Sequence, residues 1–244
     1  MKIPGQLSTE INILPSDRQS NMGEDGHPRR TDSGLLPNVE LPRRMWAGSR
    51  IKFLADIPLD VSITRKSTLI AATPKTGRSG KMLFATVRHE ITAEGSETGI
   101  VEEQDIVYRE AASLNTPFAR ATAHPDDVDP VARAVTPDPL LLFRYSALTF
   151  NGHRIHYDRD YARNAEGYPA LVVHGPLIAT LMLDHLLREL TSPIQSYSFR
   201  AVAPSFDGET IQLGLRRDGN DVQLRAIGPE GLLMTGMAKL APGS

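Results

Sequence analysis

The pattern of this chain predicts an α+β fold in two units, and three observations carry that expectation. Four stretches between Ser49 and Tyr108 read as β-strands. A proline- and aspartate-rich break follows, over residues 111–139. Beyond it, the best helix signal in the chain opens at Gly175-Pro176 and precedes four more strand candidates. No exact repeat links the halves, but the order of elements is alike.

Residues 1 to about 40 are an irregular lead-in, because Pro4, Pro15, Pro28 and Pro37 would each interrupt a helix. Ser49–Leu54, Val61–Leu69, Met82–Ile91 and Gly99–Tyr108 alternate or carry β-branched residues, as strands do. Gly77-Arg78-Ser79-Gly80 and Glu94-Gly95 are turn signals between them. Pro117, Pro125, Pro130, Pro137 and Pro139, with Asp126, Asp127 and Asp129, mark a linker. Leu140–Phe150 reads as an apolar helix. Pro176 suits a first helical turn, Leu177, Thr180, Leu181, Asp184, Leu187 and Leu190 keep helical spacing, and Pro193 stops it. Tyr197–Val202, Thr210–Arg217, Val222–Ile227 and Leu232–Leu240 close the chain as strands, with Arg217-Asp218-Gly219-Asn220 a hairpin turn.

Composition narrows the function classes. At 40% hydrophobic and 23% charged residues, the 244-residue chain is packed rather than wholly disordered. Lys+Arg 27 against Asp+Glu 29 lacks the basic excess of a nucleic-acid partner. The absence of cysteine excludes disulfides, thiolate catalysis and Cys-ligated zinc. No apolar run reaches the roughly 18 residues of a membrane helix. The first residues lack the apolar core of a secretory signal, and Glu10 and Asp17 speak against a transit peptide. A cytoplasmic location is expected.

Residues 144–176 hold the chemistry. His153, His156 and His174, three of the seven histidines, fall there. A zinc reading of these histidines lacks the Glu of H-E-x-x-H, so no metal is expected. The alternative is acid–base work: histidine titrates near neutrality, and the amide of Asn151 can hold a water beside it. Gly175, opening a helix, offers backbone N–H groups and the positive helix end to a carbonyl. Together these suggest hydration or hydrolysis at an acyl group. The plainer account is polar residues at a turn.

At these residues the chain resembles the MaoC-like, or hydratase 2, branch of the hot-dog fold, whose motif runs aromatic, small residue, Gly-Asp-x-Asn-Pro-aliphatic-His. Tyr145 matches the aromatic, Ile155 the aliphatic and His156 the catalytic histidine, while Asn151 stands where the motif has Asp. Longer blocks are similar to one subgroup, the itaconyl-CoA and mesaconyl-C4-CoA hydratases and the mitochondrial-type 3-hydroxyacyl-thioester dehydratases. They are Arg144–Asn151, Glu166–Pro169, Val172–Pro176, Asp25–Arg30, Leu41–Gly48, Gly77–Gly80 and Asp105–Glu110.

The resemblance implies a double hot-dog, each unit an antiparallel sheet wrapped around a central helix. The expected division is a lead-in over 1–19, a first unit over 20–118 with room for its central helix to be missing, a linker over 119–139 and a catalytic unit over 140–244. It implies a hydratase acting on an α,β-unsaturated dicarboxyl-CoA thioester without a cofactor. His156 would carry the proton, Asn151 orient water and Gly175 polarise the thioester carbonyl. Arg154, Tyr145, His174, Arg44 and Trp46 are the candidate substrate-binding residues, the arginines because carboxylates and phosphates suit guanidinium. The alternatives are a 3-hydroxyacyl-thioester dehydratase of fatty-acid synthesis and a non-catalytic acyl-CoA binding module. The expected partner is a small acyl-CoA, with no nucleic acid and no membrane, and a homodimer is allowed.

Overall fold

The computed structural model describes residues 18–31, 34–77, 80–111 and 129–242. Four strands, β1 (Arg43–Phe53), β2 (Ile63–Gly77), β3 (Gly80–Ala93) and β4 (Thr98–Arg109), make the first unit. Among the described residues this unit has no α-helix. The second unit has β5 (Val131–Val135), α1 (Pro139–Thr149), α2 (Arg159–Asn164), α3 (Gly175–Glu189), β6 (Ile194–Ala201), β7 (Ile211–Asp218), β8 (Asp221–Gly228) and β9 (Gly231–Leu240). All four strand candidates of each half are present. At the Gly77–Gly80 turn, Arg78 and Ser79 lie outside the described residues, and Gly77 pairs with Gly80.

The strands form one antiparallel sheet in the order β2-β3-β4-β1-β6-β9-β8-β7-β5. Two units therefore share a single ladder, joined where β1 pairs with β6 from Gly48–Arg200 to Lys52–Ser196. β1 shifts register against β4 between Trp46 and Gly48, so the strand bends just as it meets the second unit. At the other end β2 is an exposed edge carrying Lys66, Pro74 and Lys75, residues that discourage pairing with a further strand.

α3 is the helix around which the core is built. Its Leu177, Ile178, Met182, Leu183 and Leu186 are buried with Leu213, Leu224, Met234 and Ala238 of the sheet. Full burial of each large side chain contributes about 1.5–3 kcal/mol. Ile51, Ile91 and Ile100 of the first unit belong to the same core, so the seam is packed as well as hydrogen-bonded. The first unit's other cluster, Leu83, Ala85, Val87, Ile106 and Tyr108, is covered by Leu36, Val39 and Leu41.

The segment 119–139 needs correction as a linker. Its last part is structured: Val131 and Val135 of β5 pack against the core, and Arg133 reaches Asp184 of α3 at 2.6 Å. Asp129 pairs with Arg225 of β8 at 2.6 Å, and the carboxylate of Asp138 caps α1 by accepting from the Leu141 N–H at 2.7 Å. Proline density hid an edge strand, where missing N–H donors are tolerated. No helix among the described residues is long and apolar enough to cross a membrane.

Gly48 tests the seam. A Cβ there would collide with the carbonyl oxygen of Phe199, a backbone atom that cannot swing away. Gly48→Ala is expected to cost about 1–3 kcal/mol, read as a lower urea midpoint. An unchanged midpoint would show that the seam does not require this close contact.

Candidate active site

The chain turns sharply into the site. α1 ends at Phe150 with φ of 50°, and the Asn151 N–H returns to the Ser146 carbonyl at 2.9 Å. Asn151 Oδ1 then accepts from the His153 N–H at 3.1 Å. A single 3-10 turn, Arg154–His156, presents His156. This turn is fixed from the far side, where the Val172 N–H donates to Ile155 O at 3.0 Å.

His156 is 7% exposed, and its Nδ1 lies 2.7 Å from the Val172 carbonyl. A carbonyl only accepts, so the proton is on Nδ1 and the lone pair on Nε2. The imidazole is thereby held as a base. Its ring stacks on His174 at 3.7 Å and 17°. His174 is fully buried, with Nε2 2.8 Å from Ser146 Oγ and the Tyr145 ring edge-on at 4.9 Å. On the other side His153 meets His156 edge-on at 5.4 Å, and His27 lies 4.0 Å beyond, against His153. His27 Nδ1–H donates to Asp25 Oδ2 at 3.0 Å. Four imidazoles thus run in file from a carboxylate to a hydroxyl.

The lead-in supplies the far half of that file. Gly26, at φ of 83°, lies so close on Gly152 that a Cβ would collide with the Gly152 carbonyl oxygen. The Arg154 N–H donates to Asp25 O at 2.9 Å, and its guanidinium reaches Glu24 O at 3.2 Å. Residues of the first unit therefore help wall the second unit's site.

Burial dominates the electrostatics. It holds His27, His153 and His174 below the usual histidine range and brings His156 down to about 4. Neighbouring imidazoles add to the effect, because a charge on one opposes a charge on the next. All four are neutral at neutral pH.

The other candidates fall as follows. Gly175 opens α3, and no side chain caps that end. The first N–H groups of a helix lack intrahelical partners, and here they follow directly on the His174 ring. Arg44 lines a cavity of about 290 Å³ with Asp25, His27, Arg29, Arg30 and Asn38. Three of the substrate-binding candidates are engaged within the protein. His174 is fully buried, stacked behind His156. Arg154 is held by Asp158 at 2.7 Å and lies over the Tyr161 ring. Trp46 packs on Phe199 at the seam, and its N–H is taken by Gly48 O at 2.9 Å. Tyr145 sits one ring behind, against His174.

Among the described residues one group has donors fit for a metal: Asp25, His27 and His153, within 4.8 Å of one another. An ion there would displace the Asp25–His27 hydrogen bond and share the site with the Arg44 charge, which acts on both residues. Asp25 and His27 are what sequence reasoning missed as site residues. The available signal was a lone Asp-Gly-His in a lead-in otherwise rich in Pro and Gly.

Buried neutral histidines make the fold acid-sensitive. The unfolded chain takes up protons below about 6.5, whereas folded His156 stays neutral down to about 4. Its contribution to stability is present above 6.5 and is lost as pH falls toward 4. His156 alone accounts for about 3 kcal/mol of that loss, and the other three shift in the same direction. Denaturant unfolding at a series of pH values should show it, and a flat stability from pH 7 to 5 would contradict the neutral file.

Comparison with known proteins converges on the same chemistry. The family model for hydroxyacyl-thioester dehydratase type 2 matches residues 11–207. The mesaconyl-C(4)-CoA hydratase of Chloroflexus aurantiacus is 45% identical over 222 residues, 90% of this chain and 77% of that one. The mitochondrial hydroxyacyl-thioester dehydratase type 2 of Schizosaccharomyces pombe is 30% identical, over 83% of this chain and 74% of that one. Among solved structures, a MaoC-like dehydratase from Phytophthora capsici aligns with a TM-score of 0.68 at 15% identity, over 86% of this chain and 75% of that one. HtdX of Mycobacterium tuberculosis aligns at 0.64 and 15%, over 81% and 77%. These likenesses identify the nine-stranded sheet as a double hot-dog, and the chain belongs to the hydroxyacyl-thioester dehydratase type 2 family of MaoC-like hot-dog proteins.

Proposed function

We propose that this protein is a hydro-lyase that adds water to an α,β-unsaturated dicarboxyl-CoA thioester, mesaconyl-C4-CoA or itaconyl-CoA, to give citramalyl-CoA. The observation that carries the reading is the tautomer of His156, a buried base whose lone pair is fixed on Nε2 by the Val172 carbonyl. The 45% identity to a mesaconyl-C(4)-CoA hydratase supports the substrate class.

The steps balance within the site. Water forms a C–O bond at the β-carbon as one of its O–H bonds breaks, and Nε2 of His156 takes that proton. Electron density moves to the thioester oxygen, where the Gly175 N–H and the positive end of α3 stabilise it more in the transition state than in the ground state. The same Nε2 then returns the proton to the α-carbon. No net proton is released. Asn151 orients the water through its NH₂, since its carbonyl is committed to His153.

A fatty 3-hydroxyacyl-thioester dehydratase would run these steps in reverse, as the relative from Schizosaccharomyces pombe is named for. Such an enzyme needs a long apolar tunnel. The cavity that borders the histidine file at His27 is lined by Arg29, Arg30 and Arg44, which suits an acyl group that carries a carboxylate. The proposal extends to cytoplasmic location and to a homodimer, which light scattering would read.

Hydration of mesaconyl-C4-CoA, itaconyl-CoA and crotonyl-CoA, followed as loss of enoyl absorbance, tests the reading. His156→Ala should lower turnover by roughly 10²–10⁴-fold. Because the base must be neutral, the rate should rise with pH through about 4 and then stay level to neutrality. An acid limb centred on 6.5, or turnover unchanged in His156→Ala, would remove His156 from this role.

A further inference from the structure

Five arginines border the site, and the structure separates them. Arg43 is paired with Glu166 at 3.2 Å and Arg154 with Asp158 at 2.7 Å. Arg29 and Arg30 each donate to a backbone carbonyl, Met22 O at 3.1 Å and Leu41 O at 2.9 Å. Arg44 is different. It is half-buried on β1, and among the described residues no carboxylate lies within salt-bridge distance of it. The groups that act on its charge are Tyr108, its partner across β1 and β4, Asp25, already holding His27, and the like-charged Arg30. Arg44 faces the Tyr108 hydroxyl and feels the Asp25 charge without a salt bridge of its own among the described residues, and a guanidinium taken out of water is further stabilised by an anion.

The surroundings of Arg44 define that anion. The cavity of about 290 Å³ holds three guanidinium groups, Arg29, Arg30 and Arg44, against one carboxylate, Asp25, with Asn38 as a further polar wall. His27 is in that wall and is kept neutral by burial; with its proton on Nδ1 toward Asp25, its Nε2 can only accept, so it adds no charge and the anion is left to the guanidinium groups. Its opposite side meets His153 at 4.0 Å, and His153 meets His156 at 5.4 Å. The cationic cavity thus begins two imidazoles from the base. The free carboxylate of a mesaconyl group is bonded to the carbon that water attacks, so the acyl group must lie alongside His27 and His153 for Arg44 to meet it, whereas the phosphates of CoA lie a whole pantetheine arm from the reacting carbons. At about 290 Å³ the cavity falls just below the roughly 300–1,000 Å³ of whole small-molecule pockets, a size for part of a ligand.

We infer that the cavity lined by Arg44, Arg30, Asn38 and His27 is the subsite for the free carboxylate of a dicarboxyl acyl thioester, with Arg44 as the residue that pairs with it. This rests on the proposed hydratase function and adds the element that selects the substrate. The Asp25–His27 hydrogen bond holds the ring at the edge of the subsite in one orientation.

Binding, read apart from turnover, tests the inference. In a His156→Ala background, calorimetry would compare mesaconyl-C4-CoA, crotonyl-CoA and the N-acetylcysteamine thioester of mesaconate, which has no CoA phosphates. Adding Arg44→Met should weaken both mesaconyl thioesters by roughly 10²–10³-fold and crotonyl-CoA by no more than about threefold. Arg44→Lys, which keeps the charge without the fork, should recover part of the difference. Equal losses on both CoA thioesters, with none on the N-acetylcysteamine thioester, would assign the cavity to a CoA phosphate and overturn the inference. Should Arg44→Met not fold, a mesaconyl-to-crotonyl ratio unchanged in Arg44→Lys overturns it equally. Wild-type protein that hydrates neither acyl-CoA would sink the hydratase reading alone, because the binding ratios still decide the subsite.

Discussion

The site exists because β1 hydrogen-bonds to β6. That ladder fixes the first unit's strand against the second unit's sheet, and β1 carries Arg44 a few residues before the seam. Slipping the pairing by one residue would turn every side chain of β1 to the opposite face. Gly48, at the bend, lets the two backbones approach closely enough for the register to hold. The lead-in then closes over the catalytic loop through Gly26 and Gly152, two residues with no side chain to separate them. Cavity, histidine file and base are thus positioned by backbone contacts, which are stiffer than side-chain contacts.

The file itself is a way of keeping histidine uncharged. Each ring is desolvated, and each neighbour raises the cost of charging it. Yet one nitrogen of His27 and one of His156 are given fixed acceptors, and His174 has Ser146 beside it, so orientation is specified although charge is suppressed. A base with a strongly lowered proton affinity is a weaker base. In the proposed hydration it would compensate by being fully available at neutral pH and by returning its proton readily to carbon. Asn151 fits this arrangement, because a carboxylate in its place would put a negative charge beside His153 and favour imidazolium.

Much of the fold was legible in the sequence. Eight strands and two helices are visible as alternation, helical spacing, Gly turns and the Pro176 start, because those signals are local. What was missed is non-local. β5 looks like linker until Val131 and Val135 are seen against the core, and no pattern in five residues can show that. At the site, His156, Asn151 and Gly175 stand close in sequence and could be named, while Asp25 and His27 come from more than a hundred residues away. Trp46 and His174 show the converse: residue type suggested a ligand role, whereas Trp46 is engaged at the seam and His174 is buried behind His156.

One consequence follows from a first unit that carries no α-helix among its described residues. The two halves of the chain do not duplicate each other's work. The residues proposed for proton transfer fall within 151–175, whereas the walls of the cationic cavity are drawn from residues 23–44. The arginines of that cavity can therefore vary without touching the base, whereas Asp25 and His27 belong to both, so a lineage built on this plan could change diet through its arginines while its chemistry stayed inherited.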